Sequence, residues 1–307
     1  QANDAQVTIL LTLVPFWQTS VPPVLGKVAT LSTVIVSGPM DLISGQGEAL
    51  EETHEGVSVI SLHDHLPDTA EPVNTPVDMD SVLYLQYTGG TTGLPKGARL
   101  TSRNLFMNNL QANVFYGYRT GEETVASAFP LFHIGGAGSL IIALYLGQHT
   151  LLHPVFDPVK IVEDLDNFPV ANVFMVPAMI MAALQVPGIE QRSFKNLKTI
   201  TYGASPISES VLRKALDVFK CDFMQSYGMT ETTGSVICLS AEDHRRALAG
   251  EPELLRSCGR PLMGNEAKVV NSDGEEIPRG EVGEIWIKSP CNMLHYYNLP
   301  EATAKDL

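Results

Sequence analysis

Short apolar runs alternate with longer amphipathic stretches through the middle of the chain. Thr124 to Phe129, His149 to His153, Ala171 to Val176, Lys198 to Tyr202 and Asp222 to Gln225 are rich in β-branched and aromatic residues and read as strands. Between them, Gly138 to Leu146, a segment opening at Pro158, Ala178 to Leu184 and Pro206 to Phe219 read as helices. Asp157 stands as N-cap before a proline at the first helical position, where a missing N–H is tolerated, and Ser205 is placed to cap the helix from Pro206. Repeated strand–helix units of this length predict an α/β fold, a mostly parallel sheet flanked by helices.

The flanks read differently. Val7 to Leu11, Val34 to Ser37 and Val57 to Ile60 are short β-branched runs among Pro- and Gly-marked segments, the edge of an α/β layer, and Leu66 to Asp80 is a Pro-, Asp- and Thr-rich linker. Val82 to Tyr87 reads as a strand. Leu105 to Tyr116 reads as a helix preceded by the capping string Thr101-Ser102-Arg103-Asn104. Beyond Gly259, strands at Glu266 to Val270 and Glu284 to Lys288 are separated by Asp273-Gly274 and Arg279-Gly280 turns. The expected division is 1–80 as a partial α/β subdomain and linker, 81–258 as the main α/β subdomain, and 259–307 as a truncated β-rich subdomain.

Composition narrows the chemistry. A chain of 307 residues with 44% hydrophobic content can bury a substantial core. Its formal net charge of -14 argues against a nucleic-acid surface, so an anionic ligand has to be held by local donors or a cation. Cys221, Cys238, Cys258 and Cys291 lie far apart with no C-x-x-C pair and no secretory signal, which predicts reduced thiols in the cytoplasm and no zinc site. His63-Asp64-His65 lacks a third ligand in its polar, Pro-rich surroundings and reads as a solvated loop. The longest apolar stretch, Ile134 to Gly147, falls short of the ~18 residues of a membrane span, which leaves at most peripheral membrane association for the full-length protein.

The most informative stretch follows the strand at Val82: Thr88-Gly89-Gly90-Thr91-Thr92-Gly93-Leu94-Pro95-Lys96-Gly97-Ala98. Glycines let backbone N–H groups face an anion, threonine hydroxyls add donors or metal ligands, and Lys96 adds a mobile positive charge. The nucleotide loop G-x-x-x-x-G-K-[ST] does not fit, because Pro95 precedes Lys96 and Gly97 follows it. On these residues alone, a Gly/Thr surface turn fits as well as a phosphate grip.

Ligands in open α/β sheets sit at the carboxyl ends of strands. There the chain carries Pro130-Leu131-Phe132-His133, Gly203-Ala204-Ser205-Pro206 and Ser226-Tyr227-Gly228-Met229-Thr230-Glu231-Thr232. With the glycine loop, these strings resemble, in order and spacing, the adenylate-forming superfamily in its fatty-acyl-CoA synthetase branch. Gly259-Arg260-Pro261, Gly283-Glu284-Ile285-Trp286 and Tyr297-Asn298-Leu299-Pro300-Glu301-Ala302-Thr303 resemble its later segments. The resemblance covers nearly all of this chain but only the middle of the family's enzyme, part of its large N-terminal domain. His295 departs from it, standing where a glycine commonly precedes the Tyr-Tyr-Asn string.

The resemblance implies an AMP-forming acid–thiol ligase using ATP, Mg²⁺ and coenzyme A on a small-molecule carboxylic acid, a fatty acid in this branch. An aryl-CoA or carrier-protein ligase is the alternative within the superfamily, and a non-catalytic nucleotide-binding module the alternative outside it. It assigns Thr88, Gly89, Gly90, Thr91, Thr92, Gly93 and Lys96 to the phosphates. Gly203, Ala204, Ser205, Gln225, Ser226, Tyr227, Gly228 and Thr230 go to the rest of the ATP site. Tyr227 offers an aromatic face to a base, although a core tyrosine reads the same from sequence. Thr88 and Glu231 are the implied Mg²⁺ ligands, and Lys96, Thr230, Glu231 and His133 the implied catalytic set, with His133 a lining or gating group rather than a base. Gly135, Gly136, Gly138, Val176, Pro177 and Ala178 join His133 as implied walls of the acyl pocket. The family's ribose-binding Thr-Gly-Asp string and adenylation lysine would lie beyond Leu307, so the expectation for this stretch is weak nucleotide binding without turnover.

Overall fold

A computed structural model describes residues 1–38, 51–66, 71, 74–89, 93–119 and 121–307. The chain divides into two compact units, Gln1–Val77 with Gly89–Gly97, and Asp78–Thr88 with Ala98–Leu307. The first holds a four-stranded sheet of β1 (Ile9–Leu13), β2 (Thr33–Ser37), β3 (Glu51–His54) and β4 (Val57–Ser61), in the order β1-β2-β4-β3, with helix α1 (Val14–Thr19) after β1. The first three strands in that order run parallel, and β3 pairs antiparallel with β4. Alternate β-branched residues Val34, Val36, Val57 and Val59 form its core. The His63–His65 segment is a 3₁₀ turn in which His65 Nδ1 donates to the Ser61 carbonyl at 2.9 Å.

β5 (Val82–Thr88) forms a two-stranded sheet with β6 (Lys96–Thr101), which belongs to the second unit from Ala98 on, and the capping box of Thr101 and Asn104 then starts helix α2 (Ser102–Tyr116). There follow β7 (Thr124–Ser127), α3 (Ile134–Leu146), β8 (His149–Leu152), α4 (Pro158–Asn167), β9 (Val170–Met175) and α5 (Pro177–Ala183). Next come β10 (Thr199–Gly203), α6 (Glu209–Phe219), β11 (Asp222–Met229), β12 (Gly234–Leu239), α7 (Ala241–Ala249) and β13 (Arg260–Pro261). The unit ends with β14 (Glu266–Val270), β15 (Glu284–Lys288) and α8 (Pro300–Asp306). The main sheet has seven strands in the order β13-β12-β11-β10-β9-β7-β8. Its five strands from β8 to β11 run parallel, and β12 and β13 add antiparallel strands at one edge. This is the α/β class that the alternation predicts. β14 and β15 form a separate antiparallel ribbon over the residues expected for those strands.

Several boundaries depart from the sequence reading. α6 is capped by Ser208, whose Oγ accepts from Val211 N at 3.3 Å, and not by Ser205. Ala204 takes a left-handed backbone (φ 65°), and the chain reaches helical dihedrals only after Ser208. α3 opens at Ile134 rather than Gly138, because its early glycines pack against the preceding turn; a Cβ on Gly136 would stand 2.3 Å from the Pro130 carbonyl oxygen. β11 continues past Gln225 to Met229 because β12, which the sequence reading lacked, pairs with its second half. α7 and α8 are two further helices that the alternation of runs does not predict.

Around β9, β10 and β11 the core is continuous, with Tyr202, Phe219, Phe223, Ile200 and Leu212 fully buried. Among them sits His244. Its Nδ1–H donates to the Ser240 carbonyl at 2.7 Å, which leaves Nε2 to accept from the Tyr202 hydroxyl at 3.0 Å. Burial holds this imidazole below its ordinary value of 6.5, outweighing the carboxylates of Asp243 and Asp222. The unfolded chain takes up that proton first, so the stabilisation is complete above pH ~6.5 and is lost as pH falls through the lower folded-state value. Urea midpoints are therefore expected to drop between pH 7.5 and 5.5, and to drop less in His244→Asn.

Candidate functional site

The carboxyl ends of β10 and β11 lie side by side, with Gly203 in register with Ser226. Gly203 is buried, and a Cβ there would stand 2.3 Å from the Ser226 carbonyl oxygen, so only glycine allows this approach. Ala204 and Ser205 follow as exposed residues. On β11, Gln225, Ser226 and Tyr227 are strand residues, and the register with β12 shifts between Tyr227 and Gly228, the geometry of a bulge. At Gly228 the two backbones nearly touch, since a Cβ would lie 1.8 Å from the Gly234 carbonyl oxygen. Tyr227 is half-buried and packs against the cluster of Val236, Ile237 and Cys291.

The bulge delivers Thr230 and Glu231 on a 3₁₀ turn, Thr230–Thr232. Thr232 Oγ1 closes this turn, accepting from Met229 N at 3.0 Å and donating to the Gly234 carbonyl at 2.8 Å. Thr233, at φ 58°, donates its hydroxyl to the Cys291 carbonyl at 2.6 Å. The Glu231 carbonyl accepts from Met293 N at 2.7 Å, and its side-chain Oε1 accepts from the Tyr296 hydroxyl at 2.6 Å. Burial first, then the Glu231 carboxylate, raise the Tyr296 phenol far above its ordinary range, which keeps it a donor. Tyr296 is itself positioned by β6: Ala98 bridges Tyr296, Arg99 N donates to the His295 carbonyl at 3.1 Å, and Leu294 N donates to the Arg99 carbonyl at 2.9 Å. His295, the departure noted in the sequence, accepts at Nε2 from Arg99 Nη1 at 2.8 Å, so here the ring supports the pairing. β5, which ends at Thr88, lies against the Thr230–Thr232 turn.

The glycine-rich loop after β5 is described in part. Gly90, Thr91 and Thr92 lie outside the described residues. Gly89 and Gly93 are exposed, with open space where a Cβ would stand, and Lys96 opens β6, half-buried. His133 is an exposed N-cap of α3, its ring tilted against Phe132 at 4.8 Å, and Gln86 of β5 donates to the Phe132 carbonyl beneath it. A cavity of about 100 Å³ lies between α2, α3 and the strands β7, β9, β10 and β12. Gly135 and Gly138 line it. His133, Gly136, Val176, Pro177 and Ala178 do not; the last three form the β9–α5 junction. Sequence reasoning missed Tyr296 and the aromatic wall made by Tyr116 and Tyr118. A long-range contact such as Glu231 to Tyr296 leaves no local signal, but Asn108-Asn109 inside a helix does hint at buried polar work: Asn108 Nδ2 donates to the Ser235 carbonyl at 2.9 Å.

The donor set, a carboxylate with one oxygen left open, suits a hard cation that takes its other ligands from elsewhere. Glu231 Oε2 makes no hydrogen bond to the described residues, which contain no group of three or more His, Cys, Asp or Glu side chains able to hold a metal by themselves. Mg²⁺ is commonly held by one or two carboxylates plus phosphate oxygens and waters. A single carboxylate on the turn after β11 fits that pattern.

The sequence profile of the AMP-binding enzyme family matches residues 1–297. The chain belongs to that family. It thereby falls in the adenylate-forming superfamily, as the four strand-end strings imply. Among curated relatives it is 33% identical over 241 residues to the fatty acid–[acyl-carrier-protein] ligase ScoC of Streptomyces coeruleorubidus, covering 77% of this chain and 46% of that protein. It is 34% identical over 238 residues to a feruloyl-CoA synthase of Amycolatopsis, covering 77% and 47%. It is 28% identical over 324 residues to a long-chain-fatty-acid–CoA ligase of Escherichia coli, covering 99% and 55%. The chain thus spans about half the length of the curated relatives it matches. Among solved structures, the O-succinylbenzoate coenzyme A synthetase of Bacillus subtilis in complex with AMP superposes with a TM-score of 0.73 at 26% identity, covering 91% of this chain and 54% of that one. Among the described residues, no helix is long and apolar enough to cross a membrane.

Removing the Tyr296 hydroxyl tests whether the Glu231 turn depends on it. Tyr296→Phe is expected to lower stability by about 1.5 to 3 kcal/mol, the range for a hydrogen bond to a charged group, in chemical denaturation. A variant as stable as the parent would show that the bond at 2.6 Å does not hold the turn.

Proposed function

We propose that this chain is the nucleotide- and acid-binding part of an AMP-forming acid–thiol ligase. The carrying observation is the pairing of two adjacent strand ends, small backbone at Gly203 and Ala204 beside Tyr227, with a carboxylate, Glu231, fixed just beyond them on a braced turn. In this reading the Gly203–Ser205 backbone and the Tyr227 ring hold adenine, and Gln225, Ser226, Gly228 and Thr230 line the adenylate; the family resemblance of its sequence gives the β- and γ-phosphates to the loop from Thr88 to Lys96. Glu231, with Thr88, would hold Mg²⁺, which when bound neutralises phosphate charge.

A carboxylate oxygen of the acid attacks the α-phosphorus of ATP, and the bond to the bridging oxygen breaks, giving acyl-AMP and pyrophosphate. A thiolate then attacks the acyl carbon, and the bond to the AMP oxygen breaks, giving thioester and AMP. The residues contribute position and charge rather than a covalent intermediate. Burial pushes the Cys221 and Cys238 thiols up to about 12, so neither is a thiolate at neutral pH. Coenzyme A is the favoured acceptor, with a carrier-protein thiol as the second reading, supported by the similarity to ScoC.

Carboxylate-dependent ATP–pyrophosphate exchange tests the proposal, measured on this chain and on the chain extended to the length of its relatives. Exchange by the extended protein with at least one acid is expected. No exchange across aliphatic and aromatic acids would leave a non-catalytic nucleotide-binding module in its place.

A further inference from the structure

The cavity between α2 and α3 is closed at one side by two tyrosines. Tyr116 and Tyr118 flank the left-handed Gly117 that ends α2, and their rings stack at 5.3 Å with an interplanar angle of 26°. The stack is anchored. The Tyr116 hydroxyl lies 3.5 Å from Ser235 Oγ and 3.7 Å from Cys238 Sγ, both on β12, and the rings pack on Ala112, Ile142 and Leu146. Burial pushes both phenols up, Tyr118 to about 12, as expected of hydroxyl ends shut off from water.

The space this leaves is small. An apolar cavity of about 150 Å³ holds one benzene ring, so about 100 Å³ takes roughly four carbon atoms. The opposite wall is α3, where Gly135 and Gly138 line the cavity and a Cβ on Gly138 would meet nothing within 4 Å. A third part of the wall, Thr233, Gly234 and Ser235, continues directly from the turn that carries Glu231. The cavity is therefore joined through a few residues to the site where the acid would be activated.

In the acid-activating reading this cavity receives the acyl group, and we propose that the Tyr116–Tyr118 stack limits that group to short acids of roughly four carbons, in contrast to the long-chain acids named for several relatives. The inference rests on the acid-activating reading above. In it, Tyr116 and Tyr118 set specificity, and the glycines of α3 provide the room that the acyl chain occupies.

The test uses N-acylsulfamoyl adenosines, stable mimics of acyl-AMP, with two to sixteen acyl carbons, titrated into this chain by calorimetry alongside unacylated adenosine sulfamate. Affinity is expected to rise about fourfold per methylene up to roughly four carbons and to fall at least tenfold by eight. Tyr118→Ala is expected to move the optimum to longer chains, and Gly138→Leu, which fills the cavity from the other side, to move it to shorter ones. Affinity that climbs steadily to twelve or sixteen carbons overturns the proposed limit while leaving the acid-activating reading intact. Equal affinity for all members and for the sulfamate itself shows that the cavity takes no acyl group. Binding of none of them, sulfamate included, overturns the nucleotide site and with it both readings.

Discussion

In the chain extended to the length of its relatives, Glu231→Gln is expected to reduce carboxylate-dependent ATP–pyrophosphate exchange by about 10²- to 10³-fold, the size of effect seen when one preorganised charge-stabilising group is removed from an active site. The substitution keeps the shape of the side chain and an oxygen that can still accept from Tyr296, so the turn at Thr230–Thr232 should stay in place. What disappears is the negative charge that would hold a cation against the phosphates. A loss in exchange with unchanged thermal stability assigns the charge to chemistry, and exchange within a few-fold of the parent would remove Glu231 from the metal site. Raising Mg²⁺ should recover part of the activity if the loss lies in cation affinity.

Gly228→Ala should be among the most damaging single methyls in the second unit. The added Cβ would stand 1.8 Å from the Gly234 carbonyl oxygen and 2.6 Å from its carbon, both backbone atoms that no rotamer change can move aside. Either β11 and β12 separate at the bulge or the Thr230–Thr232 turn is displaced. A cost of about 3 kcal/mol or more is expected, at the upper end for overpacking. Equilibrium unfolding reads that cost directly, and nucleotide affinity should fall with it because Tyr227 and Thr230 flank the position. An alanine variant as stable as the parent would mean that the two backbones are not held this close.

The alternation of elements was legible because each carries its own local signal. Asp157 and Pro158 mark the start of α4, and Asp157 Oδ1 indeed accepts from Val159 N and Lys160 N at 2.8 and 3.1 Å. β14 and β15 were legible for the same reason, being β-prone runs between Gly-marked turns. Misread elements are those where tertiary packing overrides a local preference. Glycines at 135, 136 and 138 argue against a helix by about 1 kcal/mol each, yet α3 begins at Ile134 because the turn before it leaves Gly136 no room for a side chain. The strand from Asp222 reads as ending at Gln225, but pairing with β12 carries β11 through Gly228 to Met229. Ser205 and Ser208 are chemically equal as caps, and only the backbone turn at Ala204 decides between them.

The candidate site divides in the same way. Strand-end strings could be found from residue order, since ligands of parallel sheets gather at carboxyl ends. Contacts that orient them could not. Tyr296 reaches Glu231 only because β6 bridges the segment from Leu294 to Tyr296, and the stacked tyrosines close a cavity whose other walls come from five different elements or more. No periodicity in the sequence encodes such encounters.

In the proposed reading the ends of β10 and β11 form an adenylate site completed by Glu231. Its most direct test is a titration of AMP into isotope-labelled chain, followed by backbone amide shifts. The largest changes are expected at Gly203 to Ser205 and at Gln225 to Glu231, weakened by Tyr227→Ala. Saturating AMP that leaves these amides unmoved, or moves a different set of residues, would contradict it.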